Sequence, residues 1–228
     1  NKIFDCVTFF QENLQMELRF NILNEVVDKF VVCESVYDHR GKEKKINFAK
    51  NNFSTFSHKI EHIIIEKKFP DKNTPWQNQS WQREFIFEGL QSSNDEDLVM
   101  FSDPDEIPNP EKLKNLELKK KFGIFFQNMY TYKLNLFNQY ESPWEGTRIC
   151  KRKDLKSIDW LRHKVLYKNL KYGFWRFDKE KSIQIINDGG WHFNYLLKPE
   201  DIAKKFKSLA ETSWDKEEYF NEDNIKKK

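Results

Sequence analysis

Leu98-Val-Met-Phe-Ser-Asp-Pro-Asp-Glu-Ile-Pro108 places an apolar run directly before three carboxylates in four positions. Leu98–Phe101 reads as a buried strand, and the acidic segment then emerges at its carboxyl end. Pro104 and Pro108 stiffen that segment and forbid a helix start there. Like charges this close repel, so something positive must compensate Asp103, Asp105 and Glu106. A hard divalent cation with oxygen ligands is one answer. The other reading is an acidic turn that caps a helix after Pro110.

Upstream, strand-like and helix-like runs alternate. Ile3–Phe10 is a first strand, followed by a helix over Leu14–Val27 with Leu14, Leu18, Ile22 and Val26 spaced every four residues. Phe30–Cys33 is a second strand, Phe48–Phe56 a helix with Phe48, Phe53 and Phe56 inward, and Ile60–Ile65 a third strand. A helix then runs from Pro75 through Leu90, with Gly89 near its end. This alternation predicts an α/β fold: an open, mostly parallel central sheet with helices on both faces. Ligands in such sheets bind outside the carboxyl ends of the strands. Glu34–Gly41 and Asp103–Glu106 both fall at such ends.

Downstream, Phe122–Leu136 is strand-rich and aromatic, and Ile183–Ile186 is a short strand leading to Asp188-Gly-Gly-Trp-His192. Asp201–Leu209 and Trp214–Asp223 read as helices, and Lys226–Lys228 as a frayed end. No internal repeat or domain boundary shows, so residues 1–228 form one expected domain. The regular alternation fills residues 1–108, and residues 109–228 are less regular.

Composition excludes more than it selects. The 228 residues carry 39 basic and 36 acidic side chains, a net of +3, without the basic stripe of a nucleic-acid binder. The Lys runs at 42–45, 119–121 and 226–228 are short and read as solvated faces. Three widely spaced cysteines (Cys6, Cys33, Cys150) form no CxxC pair, against a zinc or redox site and in favour of a reducing compartment. No apolar run approaches the ~18–20 residues of a membrane helix. The expectation is a soluble, cytoplasmic protein, or one peripheral to a membrane.

Several residues could carry chemistry, each beside a plainer role. His192 is a possible metal ligand or a histidine satisfied beside a tight turn. His39, Gly41 and Lys42 form a polar loop suited to phosphate or nucleotide, or an ordinary loop. Arg83 could pair bidentately with a diphosphate or lie on the surface. Trp144 could stack on a sugar ring or sit in the core, and Trp191 is placed with it on the acceptor side. No GxSxG, Cys/His pair or glycine-rich phosphate loop is present.

Together these segments resemble glycosyltransferase family 17. Asp5-Cys-Val-Thr-Phe-Phe10, Glu12-Asn13 and Glu17-Leu18-Arg19 are similar to the family's opening pattern, and Val27–Ser35 to its second strand. His39, Gly41 and Lys42, then Trp81-Gln82-Arg83, Ser102–Pro108 and Gly190-Trp-His-Phe193 follow in order, with Lys205 and Ser208 on the next helix. The resemblance implies a GT-A-type fold and a UDP-sugar donor (UDP-N-acetylglucosamine in characterised relatives). It also implies a glycan acceptor, Mn²⁺ or Mg²⁺, and inversion at the anomeric carbon. Asp105, Asp103 and His192 would hold the metal. Glu34, His39, Gly41, Lys42, Arg83, Asp103 and Lys205 would hold the donor, and Glu106 or Asp188 would be the base. Two departures stand out: Glu211 lies where the family commonly has a histidine, and Arg40 where it usually has serine. A binding module without turnover is the first alternative. A metal-dependent nucleic-acid-processing protein is the second.

Overall fold

Apolar, β-branched and aromatic runs build the first four strands: β1 (Ile3–Phe9), β2 (Lys29–Ser35), β3 (Ile60–Ile65) and β4 (Leu98–Ser102). They lie parallel in the order β3-β2-β1-β4. All five residues of β4 are buried, as expected of a strand covered on both faces. The computed structural model describes residues 1–196 and 200–202. The expected helix over Trp214–Asp223, most of Asp201–Leu209, Lys205 and Glu211 lie outside the described residues.

The helices differ in detail from expectation. α1 (Asn13–Leu23) buries Gln15, Met16, Arg19, Phe20 and Leu23, while Leu14 is half exposed and Leu18, Ile22 and Val26 are only partly covered. The inward face is therefore rotated from the Leu/Ile/Val stripe, because Arg19 has a buried partner that the apolar pattern ignores. The segment Lys50–Phe56 is 3₁₀ rather than α-helical, with a kink at Phe53. Of the predicted inward rings, Phe48 and Phe53 are buried and Phe56 packs at the core's edge. α2 (Pro75–Glu84) begins at a capping box of Thr74 and Gln77, with Pro75 in its first turn, and tightens into 3₁₀ over Phe85–Leu90.

The second half adds β5 (Glu106–Pro108), α3 (Pro110–Lys114), β6 (Phe122–Thr131), β7 (Trp144–Lys151), α4 (Ile158–Lys164), β8 (Ile183–Ile186) and β9 (Gly190–Asn194). β7 runs antiparallel between β4 and β6, so β6 again points the same way as β4. β8 and β9 lie parallel to β6, and β5 closes the path antiparallel to β9. The sheet is thus mixed but mostly parallel. One apolar layer packs Met16, Phe20 and Leu23 of α1 against one face. The other packs Ile86, Leu90, Ile158 and Leu161 against the opposite face. Among the described residues no helix is long and apolar enough to cross a membrane.

Candidate active site

Asp5 sits in the middle of an apolar strand and Arg19 on the apolar face of the next helix. Each explains the other. Arg19 is fully buried and donates from Nε and Nη2 to the two Asp5 carboxylate oxygens, both at 2.6 Å. Its remaining reach goes to the acidic loop: Nη2 to Ser102 Oγ at 2.9 Å and Nη1 to the Glu106 carbonyl at 2.6 Å. A planar, bidentate guanidinium thereby fixes both ends of the Ser102–Glu106 turn to β1.

The three carboxylates of that turn meet different surroundings. Glu106 has a fully buried side chain. It accepts Trp144 Nε1 at 2.7 Å, Arg162 Nη2 at 2.7 Å and Nη1 at 3.0 Å, and the Asp103 N–H at 3.1 Å. Asp103 accepts Arg162 Nη2 at 2.7 Å and lies 3.7 Å from Arg83 Nη2. Burial pushes the Asp103 carboxyl up, but Arg162 and Arg83 outweigh it and hold it below the usual carboxylate range. Asp105 instead faces His192: Nε2 is 3.5 Å from Oδ1, and the backbone locks the pair through Phe193 N–H to the Asp105 carbonyl at 2.7 Å. Burial lowers the affinity of His192 for a proton, and Asp105 more than restores it. The Nδ1 atom of His192 is buried without a hydrogen-bond partner. The Trp144 ring lies 5.0 Å from the imidazole.

Asp103, Pro104, Asp105 and His192 line a cavity of about 210 Å³. Its other walls come from the carboxyl ends of β1 (Thr8, Phe9, Phe10) and of β2 (Tyr37, Asp38, His39, Lys44), with Gln79 and Gln82 of α2 and with Glu12. His39 Nε2 is 2.9 Å from Gln82 Oε1, and its carbonyl accepts Asn78 Nδ2 at 2.9 Å. Burial pushes His39 below the ordinary histidine pKa, which favours a neutral ring. Gly41 adopts φ +83°, and the Asp38 carboxylate caps the Arg40 and Lys42 N–H groups.

Not every expected donor residue faces this cavity. Glu34 is buried beneath it and accepts the Asn47 N–H at 2.8 Å, the Phe48 N–H at 3.0 Å and the Lys44 ammonium. It anchors the loop from below. Lys42 is exposed, and Lys44 is the lysine on the cavity wall. Arg83 is not on the surface. It donates to Asp159 Oδ1 at 2.9 Å, stacks 5.4 Å from the Phe101 ring, and lies behind Asp103. The Asp188 side chain is 85% exposed at a turn with φ +50°, away from the cavity-lining set. Trp191 packs partly buried against the core. Gly190, at φ +121°, passes so near β5 that an added Cβ would meet the Ile107 carbonyl at 2.2 Å.

Arg162 has no part in the sequence analysis, and Lys44, expected on a solvated face with the 42–45 run, instead lines the cavity and pairs with buried Glu34. Arg162 lies on α4, capped by Ser157, and no local pattern marks it. The one available signal was the acidic loop's need for nearby cations, which arginines meet here for Asp103 and Glu106.

The chain is 25% identical to rat beta-1,4-mannosyl-glycoprotein 4-beta-N-acetylglucosaminyltransferase across 91% of its own length and 42% of that protein. It is 28% identical to the human protein of that name across 41% of this chain and 19% of that one. The chain therefore spans less than half of the curated relatives it matches. Among solved structures, Staphylococcus aureus TarS 1-349 overlaps 91% of this chain and 64% of its own, with a TM-score of 0.44 and 12% identity. The sequence pattern of glycosyltransferase family 17 matches residues 1–228 without remainder, and the chain belongs to that family.

Proposed function

We propose that the chain transfers a sugar, N-acetylglucosamine in the first instance, from a UDP-sugar to a glycan hydroxyl with inversion, on a GT-A-type scaffold. The observation that carries this reading is the meeting of Asp105 and His192 in a cavity at the carboxyl ends of β1, β2 and β4. In this reading residues 1–108 hold the donor and 109–228 face the acceptor.

Asp105 and His192 fit a divalent cation. They offer a carboxylate oxygen and, 3.5 Å from it, the imidazole Nε2. Among the described residues no three His, Cys, Asp or Glu side chains form a closed cage. A cation held by these two would take its further ligands from the donor's phosphate oxygens and water. Mn²⁺ or Mg²⁺ held there would neutralise charge developing on the departing diphosphate. Asp103 borders the same space but is already paired to Arg162, which suits an outer role through water or ribose.

The protein's own groups have separable tasks. From the β2 side Lys44 presents an N–H donor, and neutral His39, its Nε2–H given to Gln82 Oε1, presents an acceptor at Nδ1, a pair suited to the nucleotide part. Arg83 and Arg162 sit behind Asp103 as fixed positive charge, preorganised before the diphosphate arrives. Glu106 has its oxygens taken up by Trp144, Arg162 and the Asp103 N–H, so we assign it to positioning rather than to proton transfer. That leaves Asp188, whose exposed carboxylate lies 3.8 Å from Lys112 Nζ and outside the cavity-lining set, as the other candidate base. The half-buried Trp144 ring beside His192 is suited to one sugar face.

The direct test is incubation with UDP-N-acetylglucosamine, Mn²⁺ and an oligosaccharide panel, with UDP release and product anomer followed by NMR. A β-linked product from the α-linked donor is expected. An α-linked product would contradict inversion. Donor binding with no release from any acceptor would make the chain a binding module.

A further inference from the structure

Residues 170–177 expose an unusual amount of apolar surface at one place. Phe177 is 91% exposed, Phe174 82% and Trp175 65%, with Tyr172 at 40% and Leu170 at 38%. Single exposed hydrophobes are ordinary, but a run of aromatic rings on one loop marks an interaction surface.

The loop is built to hold these rings outward. Arg176 pairs with Asp178 through two bonds of 2.7 Å and lies 5.1 Å from the Tyr172 ring. Lys179 sits over the other contact of that ring at 5.7 Å, and Lys181 Nζ donates to the Tyr172 carbonyl at 3.0 Å. Backbone bonds from Arg176 N–H to the Gly173 carbonyl, at 3.1 Å, and from Lys179 N–H to the Arg176 carbonyl, at 3.1 Å, tighten the turn. Phe174 and Trp175 meet edge to face at 5.4 Å. The loop's polar groups are thus paired within the loop, while Phe174, Trp175 and Phe177 keep most of their ring surface exposed.

The surrounding charge selects the occupant. Residues 168–181 carry five cations against two carboxylates, a net of +3 in a chain whose total is +3. Aromatic rings flanked by Lys and Arg suit the boundary of an anionic bilayer: the rings enter the headgroup region and the cations meet lipid phosphates. We propose that the 170–177 loop docks the protein onto a negatively charged lipid surface. Its place in the sheet fits that task. The loop leads into β8, which pairs at Ile183 with Phe122, the first residue of β6. β6 points the same way as β4, so the loop lies toward the strand end opposite the Asp103–Glu106 turn. Docking there leaves the candidate active site open to a water-borne donor.

The test uses the full chain with sedimented vesicles, either pure phosphatidylcholine or phosphatidylcholine with 30% phosphatidylglycerol, and does not depend on transferase activity. Binding to the anionic vesicles is expected, at least tenfold tighter than to neutral ones and weakened by salt. Bromolipid quenching of tryptophan fluorescence should accompany it. The variant Phe174→Ser/Trp175→Ser/Phe177→Ser should lose at least tenfold in partitioning while its melting temperature holds, since these rings are exposed. Lys168→Glu/Lys171→Glu should abolish the lipid-charge preference. Equal binding by the triple variant, or no binding to anionic vesicles, overturns the proposal. So does concentration-dependent dimerisation that the triple variant removes, which would give the surface to a second copy.

Discussion

The two halves of the sheet do different work at the same cavity. The parallel half, β3-β2-β1-β4, brings its polar groups on the loops that follow each strand, so site and strand are neighbours in sequence. The half built on β6, β7 and β9 reaches the acidic turn sideways, with Trp144, Arg162 and His192 arriving from three separate elements. The contrast extends to the acidic turn itself. Asp103 and Glu106 are compensated by arginines, while Asp105 faces His192 at the cavity wall. The first half thus sets out carboxylates, and the second decides which of them remain available to a ligand.

The largest effect should come from Asp105→Ala. Transfer should fall on the order of 10²–10³-fold, the scale on which a single electrostatic stabiliser is lost. The melting temperature should stay near that of the parent. The comparison breaks if Asp103→Ala proves far worse in rate with its fold intact, for then the arginine-paired carboxylate is the operative one.

Next is Arg162→Ala, which leaves the buried Glu106 without its main cation. Breaking a buried pair from one side costs about 3–5 kcal/mol, readable by chemical denaturation. Arg162→Lys should recover part of this. Glu106→Gln removes the charge but keeps one acceptor oxygen, for Trp144 Nε1 or for the Asp103 N–H, and should reduce stability less than Arg162→Ala while retaining measurable transfer. Complete loss of transfer in a well-folded Glu106→Gln would return Glu106 to the role of base.

Gly190→Ala probes how β9 delivers His192. Its φ of +121° and the 2.2 Å approach to the Ile107 carbonyl leave no room for a methyl group. A residue forced into such backbone costs about 1–3 kcal/mol, and the β5/β9 register that seats His192 should loosen with it.

The smallest effect concerns Glu34 and acid. Burial pushes its carboxyl up, but His62, Lys44 and the Asn47 N–H hold it below its ordinary value near 4.5. A depressed carboxylate contributes stability that is present above that value and lost as pH falls through the lower, folded-state one. The melting temperature should therefore drop below about pH 4.5, and less steeply in Glu34→Gln. Identical slopes would remove Glu34 from the loop's support.

Much of this architecture was legible because local pattern and burial agree. The four parallel strands follow from runs such as Leu98–Phe101, and the two polar strand ends follow from where those runs stop. Apolar periodicity misplaced the inner face of α1, since it has no term for a buried Arg19 awaiting Asp5. Asp5 within Ile3–Phe9 was the visible sign that such a partner must exist. Lys42 follows from the His39-Gly41-Lys42 pattern, whereas the turn at Gly41 puts Lys44 on the cavity wall, and that geometry is not in the composition. Arg162 was unreadable for a different reason. Its partners lie 56 and 59 positions away, and only the fold brings α4 beside the acidic turn.

The central claim is that Asp105 and His192 form a cation site that receives a nucleoside diphosphate. Calorimetric titration of UDP into the chain, with and without Mn²⁺ and repeated on Asp105→Ala, tests it most directly. Mn²⁺-dependent binding that the substitution removes is the predicted result. UDP binding of equal strength without metal, or unchanged in the variant, would contradict it.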